Sequence, residues 1–279
     1  MNLSRCAALA AAAMLVLAGP AFAVETAPTL EMSADGQIQI GPDGSVTDYR
    51  LDSKLPPAVA ELVDKDVRRW QFEPILADGK PVVAKTAMHL GLRAEPAGEA
   101  KDSYRMHIVE IRFGEPKRSG SMRPPHYPKE AVIAHLCARV MLAVRLGADG
   151  QATDVQAYQT SLDARPRSER DAEHWRAMFE RASIDAAKSW RYNMTETVNG
   201  KTVGSSVLVP VVFSVHVLGS QSDAPGTWKA YLPGPKHPAP WMDSDRLAAT
   251  GDLSNLRDDE AVSLDSPFKL KDDVVGKAL

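Results

Sequence analysis

Few residues of this chain are spaced for chemistry. His126, His135 and Cys137 are three side chains of a kind that binds zinc, because imidazole and thiolate are its usual ligands. His135 and Cys137 would share one face if His135-Leu136-Cys137 were extended. With Asp149 or nearby carboxylates, the two histidines could also serve a hydrolytic reaction. No nucleophile elbow, phosphate loop, zincin helix or Cys-x-x-Cys accompanies them, so the plainer reading is surface histidines beside a half-buried thiol. Asn193-Met194-Thr195 has only the form of a glycosylation acceptor. Lys117, Arg118 and Arg123 form a basic cluster in a Pro- and Gly-containing loop, which reads as a solvated surface. The chain therefore reads as a non-enzyme, with no catalytic, cofactor-binding or metal-binding residues and no nucleic-acid or small-molecule partner.

The elements that frame these residues follow from composition and pattern. The chain has 279 residues, 33 Lys+Arg against 36 Asp+Glu, and 44% hydrophobic residues. That balance excludes collagen-like, mucin-like and wholly disordered classes and a strongly basic nucleic-acid binder. Two small domains fit this length. Residues 1–23 read as a secretory signal peptide: Arg5 is the positive start, Cys6–Ala18 the apolar run, and Ala21-Phe22-Ala23 the cleavage site. Cleavage would place the mature protein in the periplasm as a soluble chain; an uncleaved inner-membrane anchor is the alternative. Cys137 would then be the one remaining cysteine, and no intramolecular disulfide could form.

Two stretches share an order of features. The first has Asp43-Gly44, Val46–Tyr49, a helix opening near Pro57, Trp70-Gln71-Phe72 and Asp78-Gly79-Lys80, followed by a long strand. The second has Asp149-Gly150, Thr153–Gln156, a helix capped by Ser168, Trp190-Arg191-Tyr192 and Asn199-Gly200-Lys201, followed by Val207–Val217. Asp-Gly and Asn-Gly predict two-residue type I′ hairpins, whose central residues both need positive φ. Val59, Leu62, Val63, Val67 and Trp70 form one helical stripe; Trp175, Phe179, Ala182, Ala186 and Trp190 form the other. In the last strand Val207, Val209, Val211, Phe213 and Val215 point one way and Leu208, Pro210, Val212 and Ser214 the other, and Pro210 points to a sheet edge. The expected fold is α+β. It has two small β-β-α-β units, each a three-stranded antiparallel sheet with a helix on one face. Trp70, Phe72, Trp190 and Tyr192 are the expected structural core.

This order resembles the C-terminal domain of the TonB family. The resemblance rests on Tyr127-Pro128-Lys129-Glu130-Ala131, Val140–Leu146, Asp149-Gly150, Trp190-Arg191-Tyr192, Asn199-Gly200-Lys201 and Val209–Phe213, over about residues 124–217. Residues 37–93 match it more weakly, through Trp70-Gln71-Phe72-Glu73-Pro74 and Asp78-Gly79-Lys80. Two departures stand out. Asn193 follows Trp190-Arg191-Tyr192 where the family places Pro, and the transducer's long Pro-rich spacer is not evident.

The resulting expected organisation is a signal peptide (1–23), a degenerate TonB-like repeat (24–93) and a linker with an extra strand (94–123). A TonB C-terminal-like domain (124–218) follows, then a Pro/Gly-rich linker and partly disordered acidic tail (219–279). The resemblance implies a peptide-binding edge strand at Val207, Val209, Val211, Phe213 and Val215. Its partner would be an extended segment of an outer-membrane receptor, or a second copy of the chain. The alternatives are a membrane-anchored energy transducer and an exported enzyme of unknown type.

Overall fold

Each Asp-Gly turn sets a hairpin, but not always by the geometry its sequence predicts. In the computed structural model, which describes residues 28–97, 103–120, 122–215, 231–243 and 261–279, β1 (Leu30–Ile40) and β2 (Val46–Leu51) meet at Gly41–Gly44. The Gly44 N–H donates to the Gly41 carbonyl at 3.0 Å, and the Gly41 N–H to Ser45 at 2.8 Å. Only Gly44 has positive φ, +82°, so this is a type I turn closed by a left-handed glycine rather than a type I′ turn. Pro42, with its fixed φ, suits the first central position. Asp78-Gly79 does take the two-residue form, with φ of 52° and 75°, and joins β3 (Leu76–Ala77) to β4 (Lys80–Pro81). Helix α1 (Pro57–Val67) lies between these hairpins, with Pro57 in its first turn. Leu62 leaves the predicted stripe and is 39% exposed, while Val63 and Val67 are fully buried.

The chain continues through β5 (Ala84–Pro96), β6 (Tyr104–Phe113), β7 (Lys117–Arg118) and the short α2 (Lys129–Ile133). Next come β8 (Ala138–Leu146), β9 (Ala152–Leu162) and α3 (Glu169–Ala187). The last elements are β10 (Tyr192–Asn193), β11 (Thr197–Val198), β12 (Lys201–Thr202), β13 (Ser205–Phe213) and β14 (Val262–Ser263). The protein is thus α+β, mostly strands with few helices. Asn199-Gly200 repeats the type I′ form, with φ of 51° and 73°. Ser168 caps α3 by accepting the Asp171 N–H at 3.1 Å, and Glu169 and Asp171 put negative charge at the helix N-terminus.

Among the described residues two larger antiparallel sheets result, beside the two-stranded β3–β4 and β7–β10 pairs. In the first, β1 lies between β2 and β5; β6 and the β11–β12 hairpin line the far side of β5. The expected linker therefore carries a strand of the first sheet, and its basic pair, Lys117-Arg118, forms β7 against β10. In the second sheet the order is β14-β13-β8-β9. Here β8 and β13 pair from Ala138↔Phe213 to Leu146↔Ser205. Trp70, Phe72, Ile38, Val63 and Leu90 are among the buried residues of one core. Leu142, Phe179, Trp190, Tyr192 and Val209 belong to the other, between the second sheet and α3.

The described parts of the C-terminal third lie along strands. The Leu232 N–H donates to Leu162 at 2.6 Å and Gly234 to Thr160 at 3.0 Å, both on β9. Glu73 donates to Lys269 at 2.9 Å, while Gly276 and Leu279 donate to Ile108 and Met106 on β6 at 2.7 and 2.9 Å. Phe268 is buried edge-on to Phe72, with ring centroids 6.2 Å apart. The expected signal peptide, Trp228 and residues 244–260 lie outside the described residues.

Candidate functional site

Strand β13 presents two different faces and one half-used edge. Val207, Val209, Val211 and Phe213 belong to the core that α3 covers. Tyr127 closes that core: its ring stands edge-on to Phe213 at 5.3 Å and to Phe179 at 5.9 Å, and its hydroxyl donates to Leu136 at 2.8 Å. Leu208 packs into a smaller cluster with Met141, Ala143, Tyr158 and Leu264. Val215 lies just past the end of β13, where its N–H donates to Cys137 Sγ at 3.4 Å.

The backbone of β13 decides what its edge can accept. Ser206 accepts the Leu264 N–H at 2.8 Å and donates its own N–H to Asp265 Oδ1 at 2.7 Å, so its polar groups face away from β8. Strand alternation then aims the backbone groups of Leu208, Pro210 and Val212 along the same edge. Pro210 thus lacks its donor where β8 does not need it, which is how a proline survives inside this ladder. Strand β14 pairs only with Val207 and Leu208. Among the described residues, no strand pairs with Val209–Phe213 on that side. Val212 is 41% exposed.

Trp190 and Tyr192, just past the end of α3, are buried in the core of the second sheet. Trp190 Nε1 donates to the Arg123 carbonyl at 3.0 Å, and the Tyr192 N–H donates to Gly150 at 2.9 Å. Burial pushes the Tyr192 phenol up to about 12. Trp70 Nε1 instead donates to Asp66 Oδ2 at 3.0 Å, and the Phe72 N–H to Gly44 at 2.9 Å. His126 and His135 are exposed and Cys137 is half-buried. Among the described residues, no three side chains cluster to hold a metal ion. Burial also pushes the Cys137 thiol up, away from the reactive thiolate.

Sequence reasoning missed Glu196, Asp265 and Ser266. Glu196 is 1% exposed, just ahead of β11. It accepts a hydrogen bond from Ser266 at 2.6 Å and another from Thr86 of β5 at 3.3 Å. Burial pushes its carboxyl above the ordinary 4.5, and the Asp265 charge adds to that rise, while the two hydroxyls oppose it. A raised carboxyl is a cost in the folded state that is absent below 4.5 and grows with pH until the raised value is passed. Glu196→Gln should therefore raise the melting temperature at pH 8 relative to wild type and change it little at pH 4. Equal shifts at both pH values would show that Glu196 ionises in the fold without cost. No pattern in the sequence marks these residues, because each contact joins positions far apart in the chain.

Comparison with known proteins gives a partial likeness. A stretch of 98 residues, 35% of this chain, is 35% identical to "Protein TonB" of Xanthomonas campestris pv. campestris, strain B100. The same values hold for "Protein TonB" of a second strain of that pathovar. No family model matches the chain. No solved structure matches it significantly. The chain spans 38% of the length of the relatives it matches, and within that span it is TonB-like.

Proposed function

We propose that this protein is a TonB-like, non-enzymatic interaction module of the periplasm. It would bind extended peptide segments by strand addition at the outer edge of β13. The observation that carries this reading is that edge: its backbone groups face outward, and the β14 segment uses them only at Ser206 and Leu208. The natural occupant would be a periplasm-facing segment of an outer-membrane receptor, with self-association into a homodimer as the second use of the same edge. A chain beginning at Val24 on mass spectrometry would fit the soluble periplasmic form, whereas retention of residues 1–23 would fit an anchored transducer.

We also infer that residues 24–93 and 124–218 are two degenerate copies of one β-β-α-β unit. Matched contacts support this. The carbonyls of Gly44 and Gly150 each accept the N–H of the aromatic residue two positions after a Trp, both at 2.9 Å. Thr47 and Thr153 hydroxyls each donate back across their hairpin at 3.2 Å, to Gln39 and Arg145. Asp78-Gly79 and Asn199-Gly200 share φ values within a few degrees.

Val212→Pro tests the edge. It deletes an outward donor without touching the β8 ladder. The measurement is fluorescence anisotropy with a panel of labelled peptides from periplasm-facing receptor segments. Peptides that bind wild type are expected to lose tenfold or more in affinity for Val212→Pro, at an unchanged circular dichroism spectrum. Undiminished binding would exclude this edge as the site.

A further inference from the structure

We propose that Val262–Asp265 is the protein's own occupant of the β13 edge, and that the site reads an aliphatic–small–aliphatic–acidic segment. This rests on the edge-strand reading above. The segment already lies where an added strand would: it runs antiparallel to β13, with Val207↔Ser263 and Leu208↔Val262 in register. Its side chains are accommodated one by one. Val262 and Leu264 are 7% and 9% exposed, and Leu264 enters the small cluster with Leu208, Met141 and Tyr158. Ser263 Oγ lies 3.1 Å from Ser205 Oγ. The Asp265 carboxylate ends the strand by accepting the Ser206 N–H at 2.7 Å and the Ser205 hydroxyl at 3.0 Å. A charged acceptor on two donors is the strongest polar contact of the segment, so Ser205 and Ser206 are the residues that read the acid.

The pairing stops where the physics says it must. Continued past Val262 in the same register, the next outward backbone position on β13 is Pro210, which has no N–H to give. The self-occupant therefore uses Ser206 and Leu208 and leaves Val212. Two residue pairs make a marginal strand. It persists because it is tethered, which gives it a local concentration on the order of millimolar. An incoming peptide can take the Val212 N–H first and then displace the tethered segment from Leu208 and Ser206. The resting protein is thus self-occupied, and only a segment of matching chemistry or high local concentration opens it.

The test uses the full-length protein and a labelled synthetic peptide with the sequence Ala261–Phe268. The opened variant carries Leu264→Asp and Asp265→Ala, which remove the apolar anchor and the acid. The opened variant should bind the peptide at least tenfold more tightly than wild type, and a peptide carrying Asp265→Asn should lose that gain. If the opened variant does not fold, hydrogen exchange of wild type under excess peptide replaces it. Faster exchange at the Leu264 amide supports displacement, and unchanged exchange overturns it. Equal peptide binding by wild type and opened variant overturns self-occupancy while leaving the edge as a site. Failure of this peptide on both forms overturns the proposed specificity. Failure of the receptor peptides as well, on both forms, is what would overturn the edge-strand reading itself.

Discussion

Gly150→Ala should destabilise the second sheet and α3 by about 3–5 kcal/mol, the range in which a named steric mechanism is required. Gly150 has φ of +75°, where an L side chain costs roughly 1–2 kcal/mol on backbone grounds alone. A Cβ there would also lie 1.8 Å from the Tyr192 carbonyl oxygen. That neighbour is backbone, held by the Tyr192 N–H on the Gly150 carbonyl at 2.9 Å, so it cannot swing aside as a side chain would. The hairpin must therefore part from the end of α3, and the Trp190 and Tyr192 contacts go with it. Gly200→Ala is the control. It has nearly the same φ, +73°, but nothing within 4 Å of the added carbon, so only the backbone cost of about 1–2 kcal/mol applies. Urea unfolding of the two variants measures the difference. Equal losses would show that the close approach to Tyr192 relaxes freely.

Trp190→Ala should cost about 3–5 kcal/mol, the usual effect of emptying a large buried aromatic site. Trp190 is 5% exposed in the core that also holds Phe179 and Val209. The vacated volume is bounded by a sheet and a helix, which limits collapse. Trp190→Phe separates packing from polarity. It keeps most of the apolar volume and loses the bond from Nε1 to the Arg123 carbonyl, a loss of about 1 kcal/mol. Trp175→Ala should cost less than Trp190→Ala, because Trp175 only packs against the edge of the same core. If thermal and urea unfolding rank Trp175→Ala above Trp190→Ala, the core is centred elsewhere.

Much of the fold is legible from local signals. Pro57 and Ser168 mark helix starts because each residue's own chemistry suits a first turn or a cap. Asp78-Gly79 and Asn199-Gly200 mark type I′ hairpins because both positions tolerate positive φ. The same dipeptide logic fails at Asp43-Gly44 and at Asp149-Gly150, where only the glycine has positive φ. In both, the Asp carboxylate accepts the N–H two residues on, Ser45 at 3.0 Å and Gln151 at 3.1 Å, which favours a longer turn with one left-handed residue. Leu62 belongs to the buried stripe by its type, yet it faces outward, because hydrophobicity alone does not fix which side of a helix meets the sheet.

The α+β class, the positions of the hairpins, the α3 stripe and the alternation that turns Val207 to Phe213 toward the core can be read without coordinates. They depend on neighbours within a few turns of chain, which periodicity records. Long-range packing, in contrast, extends the first sheet with the β11–β12 hairpin. The same holds for Glu196 buried against Thr86 and Ser266, and for Val262–Asp265 on the β13 edge. Those contacts join residues distant in the chain, several through only one or two backbone bonds. A two-residue strand has no period to read, and an edge accepts almost any extended segment that the rest of the chain brings to it.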